Sequence, residues 1–169
     1  MGHLNSILPK DLDKDTEEII LKKITDKMTS GAALYVSTLR WLEKKYGKEI
    51  IEEIRTHQLQ RNIDRWKDLK DEFEDNELDT FCKFMEESCA GTCEFEKTID
   101  EKDHKKYKYT RCAWADIFRK LGAEDIGFWI CEADEPVVKT FNPDVKFKRT
   151  KTLMQGDDCC DHEFYIDKQ

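Results

Sequence analysis

The 169-residue chain has no run of about 18 apolar residues, the length a membrane-spanning helix needs. Its polar N-terminal stretch lacks the apolar centre of a secretory signal, so a cytoplasmic protein is expected. Met1 to Ser6 matches the loose MGxxxS pattern of N-myristoylation, which has meaning only in a eukaryotic cell. Positive charge is short as well: 29 Lys and Arg stand against 37 Asp and Glu, a formal net charge of -8. A sequence-blind nucleic-acid binder needs a net attraction to phosphate, so nucleic acid is not an expected partner. One basic strip survives this argument, Lys102, Lys105, Lys106, Lys108 and Arg111 with Tyr107 and Tyr109 between them, and its simpler reading is a solvated hairpin. No internal repeat or low-complexity linker divides the chain. Its length suits one domain, with a helical part over 1–90 and an α+β part over 91–169.

What is present is charge and aromatic rings. A charged content of 39% and a mean hydropathy of -0.79 would suit disorder, but 11% aromatics, four Trp and nine Phe among them, supply apolar surface that disordered chains lack. An aromatic core under a charged surface is expected. Seven cysteines are many, and odd in number, for a cytosolic chain. Reducing thiols disfavour disulfides there, which directs attention to metal binding or catalysis.

Periodicity sorts the chain into helices followed by strands. Ile20, Ile24 and Met28 recur at helical spacing behind a cap at Asp15 or Thr16. A second helix is expected after Ser30, carrying Tyr35, Leu39, Leu42 and Tyr46 and stopping at Gly47. A long third helix from about Lys48 bears Ile50, Ile51, Ile54, Leu59, Ile63, Trp66, Leu69 and Phe73, and a short fourth bears Leu78, Phe81, Cys82 and Met85. After Gly91 the period becomes two. Cys93, Phe95 and Ile99 alternate with acidic and polar residues, and a return strand puts Tyr107, Tyr109 and Arg111 on one face. Helices are expected from Ala113 to Leu121 and from Glu124 to the region of Pro136. A strand then carries Val145, Phe147, Arg149, Lys151 and Leu153, and a last strand aligns Cys160, His162, Phe164 and Ile166. This order predicts an α+β fold, a helical half packed with a four-stranded antiparallel sheet and a helical pair.

The segment TLMQGDDCCDHEF, Thr152 to Phe164, gathers thiols, carboxylates and an imidazole, the side chains of metal ligation, nucleophilic attack and proton transfer. Strand phase turns Cys160 and His162 inward, although a one-residue bulge after Gly156 would exchange Cys160 for Cys159. Asp157 and Asp158 fall in the turn. Core packing of a cysteine and a hydrogen-bonded histidine is the plain alternative to a reactive site. Arg149 and Arg111 also lie in phase with apolar neighbours. An inward guanidinium needs an anion, either an internal carboxylate such as Asp134 or Asp157 or the carboxylate of a ligand. Cys89 and Cys93 have half the spacing of a zinc knuckle without a second pair of ligands, whereas a site from Cys112, Cys131 and Cys160 would have to be assembled by the fold.

From about Thr110 to Ile166 the chain resembles the L-2-amino-thiazoline-4-carboxylic acid hydrolase family. The resemblance rests on Cys112 and the following AWADIFRKLGAED, on CEAD at Cys131 to Asp134, on FNP at Phe141 to Pro143, on KFKRTKTLMQGDD, and on CDHEF at Cys160 to Phe164. It implies hydrolytic opening of a cyclic amidine to S-carbamoyl-L-cysteine. His162 stands where the family commonly has an aromatic residue. With that chemistry in mind, Cys160, Asp134, Asp161 and His162 are the candidate catalytic residues, Arg149 and Arg111 the substrate-binding ones, and Cys112, Cys131 and Cys160 the hypothetical metal ligands for zinc, iron or an iron-sulfur cluster. A small-molecule substrate is the expected partner and homo-oligomerisation is left open. The competing readings are a cysteine-ligated metal protein without hydrolase activity and a small-ligand sensor domain.

Overall fold

The structure, a computed structural model, describes residues 12–167. The Met1 to Ser6 pattern lies outside them. Six helices and four strands follow in the order α1 (Lys14–Tyr46), α2 (Lys48–Leu69), α3 (Leu78–Ser88), β1 (Cys93–Glu101), β2 (His104–Cys112), α4 (Ala113–Lys120), α5 (Glu124–Glu132), α6 (Asp134–Phe141), β3 (Val145–Lys148) and β4 (Cys160–Ile166). The sheet is antiparallel throughout, in the order β1-β2-β4-β3. The α+β expectation therefore holds.

The first two expected helices are one. α1 runs 33 residues, about 50 Å at the rise of an α-helix, and is capped by Asp13, whose side chain accepts from the Thr16 amide at 2.9 Å. Ser30 does not start a new helix: its hydroxyl bonds back to the Asp26 carbonyl at 2.9 Å, just as the Thr25 and Thr29 hydroxyls bond back to the Leu21 and Thr25 carbonyls four residues before them. Gly47 ends α1 with φ 91° and its amide on the Glu43 carbonyl at 2.9 Å. It also lets α2 fold straight back along α1.

α2 packs on α6, and α6 on β3. The contact is aromatic: Trp66 stacks on Phe73 with centroids 6.5 Å apart and meets Phe81, Phe84 and Phe141 at 5.7, 5.5 and 6.2 Å. These rings cap a core formed by α3, α6 and the inner sheet face, with Leu78, Tyr107, Tyr109, Val138, Val145 and Phe164 buried in it. A second core lies between α1, α4 and α5 around Ala32, Val36, Leu39, Phe118, Ile126 and Met154. Cys112 and Leu153 border both cores.

Three further sequence expectations change. The helix from Glu124 breaks at Ala133, and Pro136 sits in the first turn of α6, where its missing N–H costs no intrahelical bond. β3 ends at Lys148, so Arg149, Lys151 and Leu153 do not continue a strand, and Leu153–Gln155 form a 3-10 turn. Arg111 does not face inward. The register passes from Glu94↔Arg111 to Phe95↔Tyr109, which leaves Thr110 as a bulge that turns Arg111 out to Glu94 and Asp116 at 3.7 and 3.6 Å. The basic strip is likewise no platform for bases, because Tyr107 and Tyr109 are buried and Lys105 is buried between Asp79 and Asp100, each at 2.6 Å.

Gly127 lets α5 approach α4. A Cβ there would stand 2.6 Å from the Phe118 ring and 2.7 Å from the Met154 sulfur. Gly127→Ala should therefore destabilise the protein by about 1–3 kcal/mol in urea unfolding, and an unchanged midpoint would contradict this packing.

Candidate functional site

The junction between α5 and α6 turns two helix ends toward the sheet, and Arg149 follows directly after β3. Its Nη1 donates to the Cys131 carbonyl at 3.1 Å, in the last turn of α5 where the Ala133 amide also donates, and to the Asp134 carboxylate at the start of α6. Of the two anions expected for Arg149, the internal Asp134 is its partner. Asp157 instead accepts from the Thr152 amide at 2.7 Å and closes the turn. The guanidinium lies against the rings of Phe128 and Phe147, 5.9 and 5.7 Å from their centroids.

Burial pushes the Asp134 carboxyl up to about 7, against the opposing pull of Arg149. Its side chain keeps 24% exposure, so one edge meets water. His162 Nε2 lies 4.0 Å from Asp134 Oδ2, and its ring is walled by Tyr109, Phe147 and Phe164 at 4.9, 5.4 and 6.2 Å. Burial first, and the Arg149 charge second, lower His162 to about 3, which leaves it neutral at physiological pH.

The thiols are layered. Cys160 is buried on the inner face of β4, as its phase predicted, and accepts from the Leu153 amide at 3.2 Å. Cys159 is also buried, beside Asp158 at 3.8 Å on the other face. The Thr152 hydroxyl separates Cys160 from Cys131, 3.8 and 3.9 Å from the two sulfurs. Burial raises both thiols, Cys131 to about 12, where the neighbouring Asp134 adds to the effect. Asp161 faces away from this group. Its carboxylate takes the Thr150 and Lys151 amides at 2.8 and 2.6 Å, and these bonds fix the loop that carries Arg149 and pull it out of strand geometry.

Beyond the pair opens a cleft of about 470 Å³ between α2 and the α5–α6 junction. Arg149 and Cys131 line its floor and Glu52, Arg55, Leu59 and Glu132 its walls. Arg55, which sequence reasoning passed over, forks onto Glu132 with Nε at 2.8 Å and meets Glu52 at 3.2 Å. Its i, i+3 spacing from Glu52 was visible in the sequence, but Glu132 comes beside it only by folding. Cys112 is close enough to Cys160 for its charge to bear on that thiol, but its partner across the β1–β2 register is Cys93, whose amide in turn donates to the Cys89 carbonyl at 3.0 Å. Among the described residues, no three His, Cys, Asp or Glu side chains are grouped to hold a metal ion. No helix among them is long and apolar enough to cross a membrane.

The chain belongs to the L-2-amino-thiazoline-4-carboxylic acid hydrolase family, whose model matches residues 23–164. The match extends the likeness of the C-terminal segments through most of the helical half. Among solved structures, the chain is similar to a trafficking protein particle complex subunit 3 from Naegleria fowleri covalently bound to palmitic acid. That likeness has a TM-score of 0.43 and 13% identity, and covers 92% of this chain and 98% of that one. No curated protein matches the chain.

Asp134 and His162 set opposite pH dependences. A carboxyl raised from 3.8 to about 7 keeps a proton that the unfolded chain has released, so its contribution to stability falls as pH rises through that window. A histidine lowered from 6.5 to about 3 is neutral in the fold while the unfolded chain is protonated, so its contribution rises with pH between those values. Over about pH 4.5–6.5 the two oppose each other. His162→Phe should make urea stability fall with pH across that range, and Asp134→Asn should make it rise. Identical slopes in both variants would contradict the assignment.

Proposed function

We propose that the protein is a hydrolase opening a small cyclic amidine or amide such as L-2-amino-thiazoline-4-carboxylate, in the cleft floored by Arg149 and Cys131. Family membership supports the reaction class. The observation that carries the site is the carboxyl of Asp134, raised to about 7 and paired with Arg149, which lines the cleft, although Asp134 is not itself part of that lining.

Both protein bonds of Arg149 use Nη1, so the rest of its fork is available to a substrate carboxylate. That contact would turn the amidine carbon toward Asp134. A thiolate is the reactive form of cysteine, and a Cys131 held near 12 stays protonated at neutral pH. Water is therefore the favoured nucleophile. Asp134 takes a proton from water as its oxygen bonds to the carbon between ring nitrogen and sulfur. The first proton passes to the ring nitrogen, the carbon–nitrogen ring bond breaks as the new hydroxyl becomes a carbonyl and its proton is relayed to the departing nitrogen, and the carbon keeps its sulfur and amino group as an S-carbamoyl group, a thiocarbamate. The carboxylates that line the cleft itself are Glu52, Glu132 and Glu135. Cys160 and His162 form the packed wall behind the pair, and Asp161 positions Arg149 through the loop amides.

Direct assay with the thiazoline acid tests this reading. Asp134→Asn should lower kcat by roughly 10²–10⁴-fold, the usual range for losing a general acid/base. Cys131→Ser should retain most of the activity. The reverse pattern, an inactive Cys131→Ser beside an active and folded Asp134→Asn, would replace activated water by thiol attack. Arg149→Lys keeps the charge but loses the fork, so it should raise KM for the carboxylate substrate, and an unchanged KM would remove Arg149 from substrate binding.

A further inference from the structure

Three cysteines outside the proposed site are brought together by the sheet. Cys89 caps α3, Cys93 opens β1, and Cys112 closes β2. Cys93 and Cys112 face each other directly in the register. The Ala113 amide donates to the Thr92 carbonyl at 2.8 Å. In an antiparallel ladder that bond flanks a pair of residues that do not hydrogen-bond to each other, the closer of the two kinds, with Cα atoms about 4.5 Å apart. This lies inside the range of roughly 4.4–6.8 Å that a disulfide spans. The Thr110 bulge is what turns Cys112 toward Cys93, for without it Arg111 would occupy the inner face.

Cys89 completes the group. The Cys93 amide donates to the Cys89 carbonyl at 3.0 Å, a single tight turn that sets the two side chains side by side. Cys93 is buried, whereas Cys89 and Cys112 are partly exposed; hydrogen bonding to Cys93 lowers the Cys89 thiol, while Cys93 and burial raise Cys112, so of the two accessible thiols Cys89 is the readier nucleophile. The other thiols are placed differently: Cys82 is buried beneath Tyr107, and the Thr152 hydroxyl stands between Cys131 and Cys160.

We propose that Cys93 and Cys112 form a reversible cross-strand disulfide, with Cys89 as the thiol through which a low-molecular-weight disulfide such as oxidised glutathione delivers the oxidation. The Cys89 thiolate attacks one sulfur of the small disulfide, forming a mixed disulfide and releasing one thiol. Cys93 then attacks the Cys89 sulfur and releases the second small thiol. Finally Cys112 attacks Cys93, which forms the cross-strand bond and frees Cys89. Two protein thiols are oxidised and one small disulfide is reduced to two thiols, so electrons and protons balance. The modification is separate from the proposed hydrolysis and uses none of its residues.

The test uses the full chain, purified reduced and without air. It is incubated with oxidised glutathione, quenched with an alkylating agent, digested and mapped by mass spectrometry without reduction. The expected product joins the peptides of Cys93 and Cys112, leaves Cys82, Cys89, Cys131, Cys159 and Cys160 alkylated, and reverts with dithiothreitol. Early samples should carry glutathione on Cys89, and Cys89→Ser should lose that adduct. Seven alkylated cysteines after oxidation, or a bond joining any other pair as the final product, would overturn the proposal. A Cys89→Ser chain that still oxidises at the wild-type rate would overturn the role of Cys89. The wild-type map needs no substitution, so a variant that fails to fold does not blunt the result.

Discussion

The half-buried pair of Asp134 and Arg149 is the constraint on which the arrangement of the C-terminal half depends. One guanidinium nitrogen of Arg149 binds the last turn of α5 and the first residue of α6, and the Arg149 backbone continues directly from the end of β3. It thereby fixes the angle between two short helices and ties both to the sheet. Such a pair contributes less to stability than its geometry suggests, because desolvating two charges offsets much of their attraction. Here the offset is visible in Asp134, whose carboxyl is held near 7 despite the adjacent cation. The energy withheld from stability appears as a carboxyl able to give and take a proton at neutral pH.

The surroundings sharpen that property. Tyr109, Phe147 and Phe164 exclude water from one side of the pair and keep His162 neutral, so the imidazole adds no second cation. The same burial keeps Cys131 and Cys160 protonated. Amid these thiols, the group that titrates nearest neutrality is therefore the Asp134 carboxyl rather than a cysteine. The cleft above it opens between α2 and the helix junction, so the long helical hairpin supplies one wall of the site as well as an aromatic cap for the core.

Much of this was legible from residue order. Gly47 as a helix stop, the hairpin around Lys102 and Asp103, the inward set Cys160, His162 and Phe164, and an anion for Arg149, with Asp134 one of the candidates, all follow from period, phase and the need of a buried charge for its opposite. The failures have local causes. Ser30 looked like a helix start, but its hydroxyl bonds backward along α1. Arg111 was assigned inward by unbroken alternation, which the Thr110 bulge interrupts. Arg149 seemed to lie within a strand, yet Asp161 draws the following amides into a loop. The grouping of Cys89 and Cys93 with Cys112 needs the strand register, which spacing along the chain does not contain.

The central claim is that burial beside Arg149 makes Asp134 a proton carrier near neutral pH. Carbon-13 NMR of the aspartate carboxyls, with Asp134→Asn identifying the resonance, measures this directly. The account predicts a titration midpoint of about 7 for Asp134. A midpoint at or below about 4, the ordinary aspartate value, would contradict it.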